Sequence, residues 1–376
     1  MAGIYVHIPF CKSRCIYCGF FSTTSLEKRD VYVDAVCAEI KSRKDYLKGE
    51  DVETIYFGGG TPSMLSPRQI GKILSAIYNI YKVRANAEIT IECNPDDLTS
   101  EFLADIHQLG FNRLSVGIQT FNDRILCFLH RRHSASQAVA AMHDAVDAGF
   151  HNISVDLMFG FPGQTIDEWK DDVNKALKLP VQHISAYSLM YDEGTMLTSM
   201  LNRGLVNEID DTLSLEMYKY LVETLKSAGF DHYEISNFSR PGFSSRHNSS
   251  YWHSIPYLGV GAGAHSYDGD SRQYNVESLN IYIAGAEPIK ENLTLDEKYN
   301  EFVFTGLRTS DGISLDELLN KFGSGYYEYC ISNARKHLTS VRMTSSSTSG
   351  GDNILRLSPS GIYISNDIIS DLMIVD

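Results

Sequence analysis

One pattern recurs six times along this chain: a short run rich in β-branched residues, followed by a longer stretch of helical character. The runs fall at residues 4–8, 53–57, 87–92, 112–119, 152–159 and 182–189. Two of the following helices are announced locally. Ser66-Pro67-Arg68-Gln69 supplies a capping Ser, a Pro at the first helical position and a Gln three residues after the cap, and Thr165-x-x-Glu168 is a second capping box. Strands that lead into helices and return as strands imply a parallel sheet with right-handed crossovers. The fold class is therefore α/β. Six units are too few for a closed eight-unit barrel, so a partial (β/α)6, TIM-like barrel or an open sheet is expected.

Parity within the runs adds a site. Thr90 and Glu92 oppose Ile89 and Ile91; Ser115, Gly117 and Gln119 oppose Leu114, Val116 and Ile118; Ser154 and Asp156 oppose Ile153, Val155 and Leu157. Alternate residues of a strand point to opposite faces, so one face of three successive strands is small and polar and the other is apolar. A sheet in a βαβ arrangement is covered on both sides. The polar face is therefore expected to line a wet cavity near the strand C-termini rather than bulk solvent.

Beyond the six units, residues 208–228 read as an amphipathic helix with Leu213, Met217, Leu221 and Leu225 four apart. Residues 237–267 are rich in Ser, Gly and aromatics and show little periodicity. Helices are then expected over 297–308, from Ser314-x-x-Glu317 and over 327–337, followed by strands at 340–343 and 354–357 joined by a Ser/Gly-rich loop, 344–352. That order suggests a mainly helical, winged-helix-like module. The expected organisation is a barrel over 1–235, a connecting segment over 236–290 and the C-terminal module over 291–376. Winged helices often bind DNA, but this chain carries 33 basic against 47 acidic residues, a net charge of −14, and its wing loop has no basic residue. No nucleic-acid partner is expected; a packing or lid role fits the module better.

Cys11-Lys-Ser-Arg-Cys15-Ile-Tyr-Cys18 is the most specific chemical signal. Seven Cys, three of them crowded together, do not suggest a disulfide framework. A structural zinc site would need a fourth ligand, and no Cys or His follows at ribbon spacing; a distant fourth ligand is the competing explanation. An iron–sulfur cube normally takes four Cys, so three leave one iron open for a ligand. Cys37, Cys93, Cys127 and Cys330 are scattered and read as small core residues. The motif opens at residue 11, and the residues before it hold no basic region or cleavable apolar core, so no signal peptide is expected. No run approaches 18 apolar residues, so no membrane span is expected either. A cytoplasmic, reduced protein follows. Gly58-Gly59-Gly60-Thr61-Pro62 comes directly after the second run, where glycines would let backbone approach a ligand.

CxxxCxxC with an aromatic before its third Cys resembles the signature of radical S-adenosylmethionine (SAM) proteins. The resemblance implies a [4Fe–4S] cluster on Cys11, Cys15 and Cys18, with SAM chelated on the open iron and cleaved to a 5′-deoxyadenosyl radical. It sharpens toward the coproporphyrinogen dehydrogenase and haem chaperone family. The residues that carry it are Tyr5-Val-His-Ile-Pro-Phe-Cys11, Gly58-Gly-Gly-Thr-Pro-Ser63, Ile91-Glu-Cys-Asn-Pro95, Gly117-Ile-Gln-Thr-Phe121 and Asp156-Leu-Met-Phe-Gly-Phe-Pro-Gly-Gln-Thr165. By this resemblance Tyr5, Gly59, Gly60, Thr61, Glu92, Gln119, Arg131 and Asp156 contact SAM. Glu92, Gln119 and Asp156 are also the residues that parity turns into the cavity.

Two features separate the branches. The dehydrogenases carry a further Cys two residues after the third, where this chain has Phe20, and a substantial segment before the cluster motif. His247-Asn-Ser-Ser-Tyr-Trp252 resembles the HNxxYW signature of the haem chaperones, with His247 as a candidate haem ligand; His265 is a second candidate, and the sequence does not choose firmly between them. The resemblance implies a haem chaperone that passes haem to an acceptor, with membrane respiratory proteins as acceptors, a location at the inner face of the membrane, and dimers. The competing reading is an oxygen-independent coproporphyrinogen III dehydrogenase of porphyrin biosynthesis. A radical SAM enzyme with another substrate stays open as well. No residue is nominated as catalytic.

Overall fold

The computed structural model describes residues 1–347 and 353–375. Strands and helices alternate as expected: β1 (Ala2–Ile8), α1 (Arg29–Ser42), β2 (Val52–Gly59), α2 (Pro67–Ile80), β3 (Val83–Cys93), α3 (Ser100–Gln108), β4 (Arg113–Gln119), α4 (Asp123–Phe128), α5 (Ala135–Asp147), β5 (Ile153–Phe159), α6 (Ile166–Ala176) and β6 (His183–Ser188). The six strands are parallel and neighbour one another in sequence order. Both capping boxes form, at Ser66 and at Thr165. The apolar parity face is buried as read: Ile91, Leu114, Val116, Ile118, Ile153, Val155 and Leu157 share one core with Ile70, Ile73, Leu103, Met142, Trp169 and Val173 from the overlying helices. Each aliphatic side chain so buried contributes about 1.5–3 kcal/mol, and this layer fixes which face of every strand looks inward.

The chain continues through α7 (Met196–Asn202), α8 (Asp211–Ser227), β7 (Asp231–Glu234), β8 (Asn237–Ser239), α9 (Arg246–Trp252), β9 (Tyr257–Val260), β10 (His265–Tyr267), β11 (Ser271–Tyr274), α10 (Leu279–Ile283) and β12 (Ile289–Asn292). From sequence, residues 236–290 stand apart as a connecting segment. In the structure they extend the same sheet at both edges. β8 runs antiparallel to β6, and β9 returns parallel to β1, giving the order β12-β11-β10-β9-β1-β2-β3-β4-β5-β6-β8-β7. Leu258, Val260, Ala262, Leu279 and Tyr282 join the barrel core. Their short runs lack periodicity because each strand is only three or four residues long.

The C-terminal module comprises α11 (Leu295–Leu307), β13 (Ile313–Ser314), α12 (Leu315–Phe322), α13 (Ser324–Thr339), β14 (Met343–Ser347), β15 (Asn353–Leu357), α14 (Pro359–Ile362) and α15 (Ser365–Leu372). Helix, strand, two helices and a hairpin follow in winged-helix order, with the small antiparallel sheet arranged β13-β15-β14. A separate core of Tyr299, Val303, Leu318, Cys330, Leu355 and Ile368 holds it. The strand expected at 340–343 starts later. α13 runs to Thr339, Val341 turns the chain with φ 58°, and β14 begins at Met343. Of the Ser/Gly-rich loop, residues 348–352 lie outside the described residues. The module is tied to the barrel by main-chain bonds from Ile235 N–H to the Arg308 carbonyl and from Ser310 N–H to the Tyr233 carbonyl, both 3.0 Å.

Candidate functional site

The loop after β1 carries the three cysteines and is pinned at several points. Cys11 N–H donates to the Thr23 carbonyl (2.9 Å), Thr23 N–H donates back to Pro9 (2.7 Å), and Leu197 N–H donates to Ile16 (2.9 Å). The Ile16 side chain is buried with Ile125, Leu129, Phe161 and Leu197. An apolar anchor between the thiols thus fixes a loop with no regular structure of its own. Burial pushes the Cys11 and Cys18 thiols up, and each lies within electrostatic reach of Cys15. Among the described residues, no three His, Cys, Asp or Glu side chains stand close enough to hold a single metal ion. Three thiols carried on one pinned loop suit a cube with a thiolate at each of three corners.

The surroundings of the thiols are built to match. Thr61 Oγ1 lies 3.5 Å from Cys11 Sγ and accepts from Asn94 Nδ2 (3.3 Å). Arg131 Nη2 donates to Asn94 Oδ1 (2.7 Å) and to the Gly117 carbonyl, and its Nη1 lies 3.5 Å from Cys15 Sγ. A chain of polar contacts therefore runs from the Cys11 thiol to the Cys15 thiol and includes a guanidinium that favours thiolate. A Cβ on Gly60 would stand 2.8 Å from the Pro9 carbonyl carbon and 3.0 Å from Cys11 Sγ, and Gly59, at φ +114°, would put one 2.6 Å from the His7 ring. The glycines are needed because this backbone passes directly against the thiol-bearing loop. The donor set fits an iron–sulfur cluster with SAM beside it.

The polar parity face forms the lumen. Glu92 accepts from Tyr56 OH (2.8 Å) and from Gly59 N–H (3.1 Å), and burial pushes its carboxyl up to about 7. Burial likewise raises Asp156, to about 6, with the Ser185 and Ser115 hydroxyls beside it. Gln119 ends β4 with φ 70°, at a shift of register against β5. A left-handed backbone at a non-glycine residue costs of order 1–3 kcal/mol and is held where the surroundings demand it. A Cβ on Gly117 would meet Gln119 Nε2 at 2.8 Å and Arg131 Nη2 at 3.3 Å, so both side chains converge there. The Tyr5 ring stacks on Tyr56 at 6.1 Å, and its hydroxyl lies 3.1 Å from His7 Nδ1.

Helix α9, which carries the HNxxYW residues, closes the lumen at the N-terminal ends of the strands. The Glu88 carboxylate accepts from the Arg246 and His247 N–H groups at 3.1 and 3.0 Å, and Ser245 caps the helix. The His247 ring is 1% exposed. Its Nδ1 lies 2.8 Å from Thr54 Oγ1 and its Nε2 2.8 Å from Tyr251 OH, and it stacks on Tyr56 at 5.0 Å. Burial, reinforced by Arg113, lowers it to about 3, so it is neutral. With both nitrogens engaged, His247 ligates no iron in this conformation. His265 is exposed at the start of β10 and stacks on Tyr274, with no hydrogen bond to its ring among the described residues. Tyr251 and Trp252 line a cavity of ≈ 280 Å³ together with Tyr257, Tyr267, Arg272 and Glu301, against the C-terminal module. Phe20 is 70% exposed on the cluster loop.

The chain matches the radical SAM superfamily model over residues 5–176. It is 36% identical over 323 residues to the haem chaperone HemW of Lactococcus lactis, covering 85% of this chain and 84% of that one. The chain belongs to the haem chaperone family of radical SAM proteins. The Bacillus subtilis haem chaperone HemW is also 36% identical, over 331 residues and 86% and 87% of the two chains. The structure of coproporphyrinogen III oxidase (HemN) from Escherichia coli superposes with a TM-score of 0.84 over 99% of this chain and 90% of that one, at 22% identity, which shows the shared fold. Members of the superfamily hold a [4Fe–4S] cluster and SAM, and the thiol loop and lumen described above suit both.

Sequence reasoning missed Arg113, Thr54, Glu88 and Tyr56, which join the lumen to α9. For Arg113 the signal was present. It lies two residues before Ser115 on the same strand, so parity turns it inward as well. Glu88, two residues before Thr90, and Thr54 and Tyr56, alternating with Ile55 and Phe57, are turned inward by the same parity; what no local pattern gives is their contact with α9, far along the chain.

Proposed function

We propose that this protein is a haem chaperone, binding haem and transferring it to an acceptor protein, with a SAM-binding [4Fe–4S] cluster on Cys11, Cys15 and Cys18. The observation that carries the reading is the 36% identity to a haem chaperone over 85% of the chain; a match of that extent within 376 residues necessarily includes α9 and its HNxxYW residues. The cluster, when bound, supplies an open iron for the amino and carboxylate groups of SAM and an electron for its sulfonium. The chain's own residues do the rest. Arg131 balances the thiolates, Gly59, Gly60 and Thr61 bring backbone against the ligand, and Glu92, Gln119 and Asp156 offer it polar groups from the lumen, with Tyr5 at its wall. His265 is the ligand that haem iron reaches without rearrangement; ligation by His247 requires α9 to release it from Thr54 and Tyr251.

The reading extends to a membrane respiratory protein as acceptor, to a cytoplasmic protein working at the inner face of the membrane, and to a homodimer. No described helix is long and apolar enough to cross a membrane itself. The test is anaerobic reconstitution followed by two assays. Haemin should give a stoichiometric Soret shift, and coproporphyrinogen III with SAM and a reductant should give no protoporphyrinogen. Catalytic turnover of coproporphyrinogen would overturn the chaperone reading, as would the lack of any stable haem complex. Cys15→Ala should lose the broad iron–sulfur absorbance; retained iron and sulfide would refute the ligand assignment. Co-sedimentation with respiratory membranes and the mass in solution test the acceptor and the dimer.

A further inference from the structure

Arg113 is 1% exposed, yet among the described residues it makes no ion pair. Its Nε is fully enclosed and unpartnered. Thr90, its direct register partner on β3, is fully buried too, and its Oγ1 likewise has no partner. A buried polar group without a partner costs about 1–3 kcal/mol, more when charged, so two orphans side by side call for something that supplies oxygen atoms. Both residues face the lumen by parity. Tyr5, Tyr56, Thr90 and Arg113 form one row across β1 to β4, and Glu92, Ser115, Ser154 and His183 form the next.

The charges around this row say what kind of oxygen. The ionisable groups facing Arg113 are Glu92 on β3, Asp156 on β5, Tyr56 on β2, His183 on β6, Tyr233 on β7 and His247 on α9. Burial and Arg113 itself keep both histidines neutral. Glu92 and Asp156 therefore offset Arg113 and Arg131 while the lumen holds only protein. A sulfonium ligand with an amino group draws on those two carboxylates, and Arg113 is then left with no anion. Its five fixed N–H donors suit a planar, two-oxygen acceptor.

We propose that Arg113 and Thr90 form a carboxylate-binding site at the lumen floor, which receives an acidic arm of the molecule that shares the lumen with SAM. The site rests on the reading that the lumen binds SAM. The acidic arm comes either from a propionate of a tetrapyrrole or from a free monocarboxylate, and two arms of one experiment separate them. Cluster-loaded protein with saturating SAM is melted at a fixed scan rate in graded sodium propionate and in sodium chloride of equal ionic strength. Propionate should raise the midpoint saturably above chloride in the parent, Arg113→Gln should abolish the difference, and Thr90→Val should reduce it if Arg113→Gln fails to fold. In the second arm, haem is titrated against haem dimethyl ester by the Soret band. The tetrapyrrole source predicts about a tenfold or greater preference for free haem that Arg113→Gln removes. Equal binding of the two forms, with the propionate response intact, assigns the site to a free monocarboxylate. Identical melting in propionate and chloride together with no preference for free haem overturns the proposal. Absence of any Soret complex with the propionate response intact removes the haem reading and leaves this site standing.

Discussion

Replacing Glu92 with Gln should change stability by an amount that depends steeply on pH. Glu92 is enclosed in the lumen and displaced from 4.5 to about 7, with burial as the chief cause. A displacement of that size corresponds to about 3 kcal/mol of folding free energy. The carboxyl titrates at a higher pH in the folded chain than in the unfolded one, so folding favours its protonated form. Stability is therefore lost as pH rises from 4.5 through 7, and the full penalty is present above that window. Glu92→Gln carries no charge and escapes the penalty. Its amide matches the protonated carboxyl: the amide oxygen accepts from Gly59 N–H, and the amide N–H donates to the Tyr56 hydroxyl, which then acts as acceptor. Without SAM, the variant should be up to about 3 kcal/mol more stable than the parent at pH 8. At pH 5, where the parent carboxyl is mostly protonated, the two should differ by less than about 1 kcal/mol. Urea unfolding of cluster-loaded, SAM-free protein at several pH values checks this. The readout is how the gap between the two midpoints changes with pH, since a cluster-bearing protein need not unfold in two states. A gap that stays constant from pH 5 to pH 8 would refute the raised carboxyl and the enclosed lumen that produces it. SAM affinity in the variant should fall about 10- to 100-fold, the effect of one hydrogen bond to a charged group.

Gly60→Ala forces a Cβ against the Pro9 carbonyl and Cys11 Sγ; iron incorporation should fall while far-UV circular dichroism is unchanged, and full iron content would refute the close approach. His247→Ala leaves Thr54 Oγ1 and Tyr251 OH unpaired around a cavity and should cost about 2–4 kcal/mol in denaturant unfolding. His265→Ala, at an exposed ring, should change stability by no more than about 0.5 kcal/mol yet abolish the haem Soret shift; a shift kept in His265→Ala and lost in a folded His247→Ala would show that α9 releases His247 to iron. Asp172, buried and raised to about 6 chiefly by burial, accepts from Thr120 Oγ1 (2.6 Å) and Phe121 N–H (2.7 Å) just after Gln119; Asp172→Ala should destabilise by about 2–4 kcal/mol and weaken SAM binding, as measured by melting and equilibrium dialysis.

The barrel was legible because its signals are short-range. Ile89 to Ile91, Leu114 to Ile118 and Ile153 to Leu157 alternate strictly, so strand identity, inward face and polar lumen could all be read within a few residues. The capping boxes at Ser66 and Thr165 worked for the same reason: cap and N3 residue lie three apart and satisfy each other's backbone groups. What escaped has its cause at long range. β9 has four residues and little pattern, and it becomes a strand because β1 offers a free edge more than 250 residues earlier in the chain. His247 reads from sequence as a candidate haem ligand. Its enclosure comes from Thr54 and Tyr56, about 190 residues away, and from a helix of only seven residues whose N-terminus is held by Glu88. Such a helix is too short to be stable alone, so tertiary contacts decide that it exists.

Those contacts place the HNxxYW helix and the lumen carboxylate on one partner. The Tyr56 ring stacks on His247 at 5.0 Å with 23° between the planes, while its hydroxyl donates to Glu92 Oε1. Glu92 in turn fixes the Gly59 N–H at the loop that passes the cluster thiols. A group that loses or gains charge at Glu92 therefore changes the hold on Tyr56, and a shift of α9 changes the packing of the same ring. Any coupling carried through this ring must be reciprocal. Whatever a ligand at Glu92 does to the seat of α9 through Tyr56, displacement of α9 does equally to the affinity for that ligand. The two motifs that stand more than 220 residues apart in the sequence, the thiol loop and the HNxxYW helix, are in this respect opposite walls of one lumen rather than two sites.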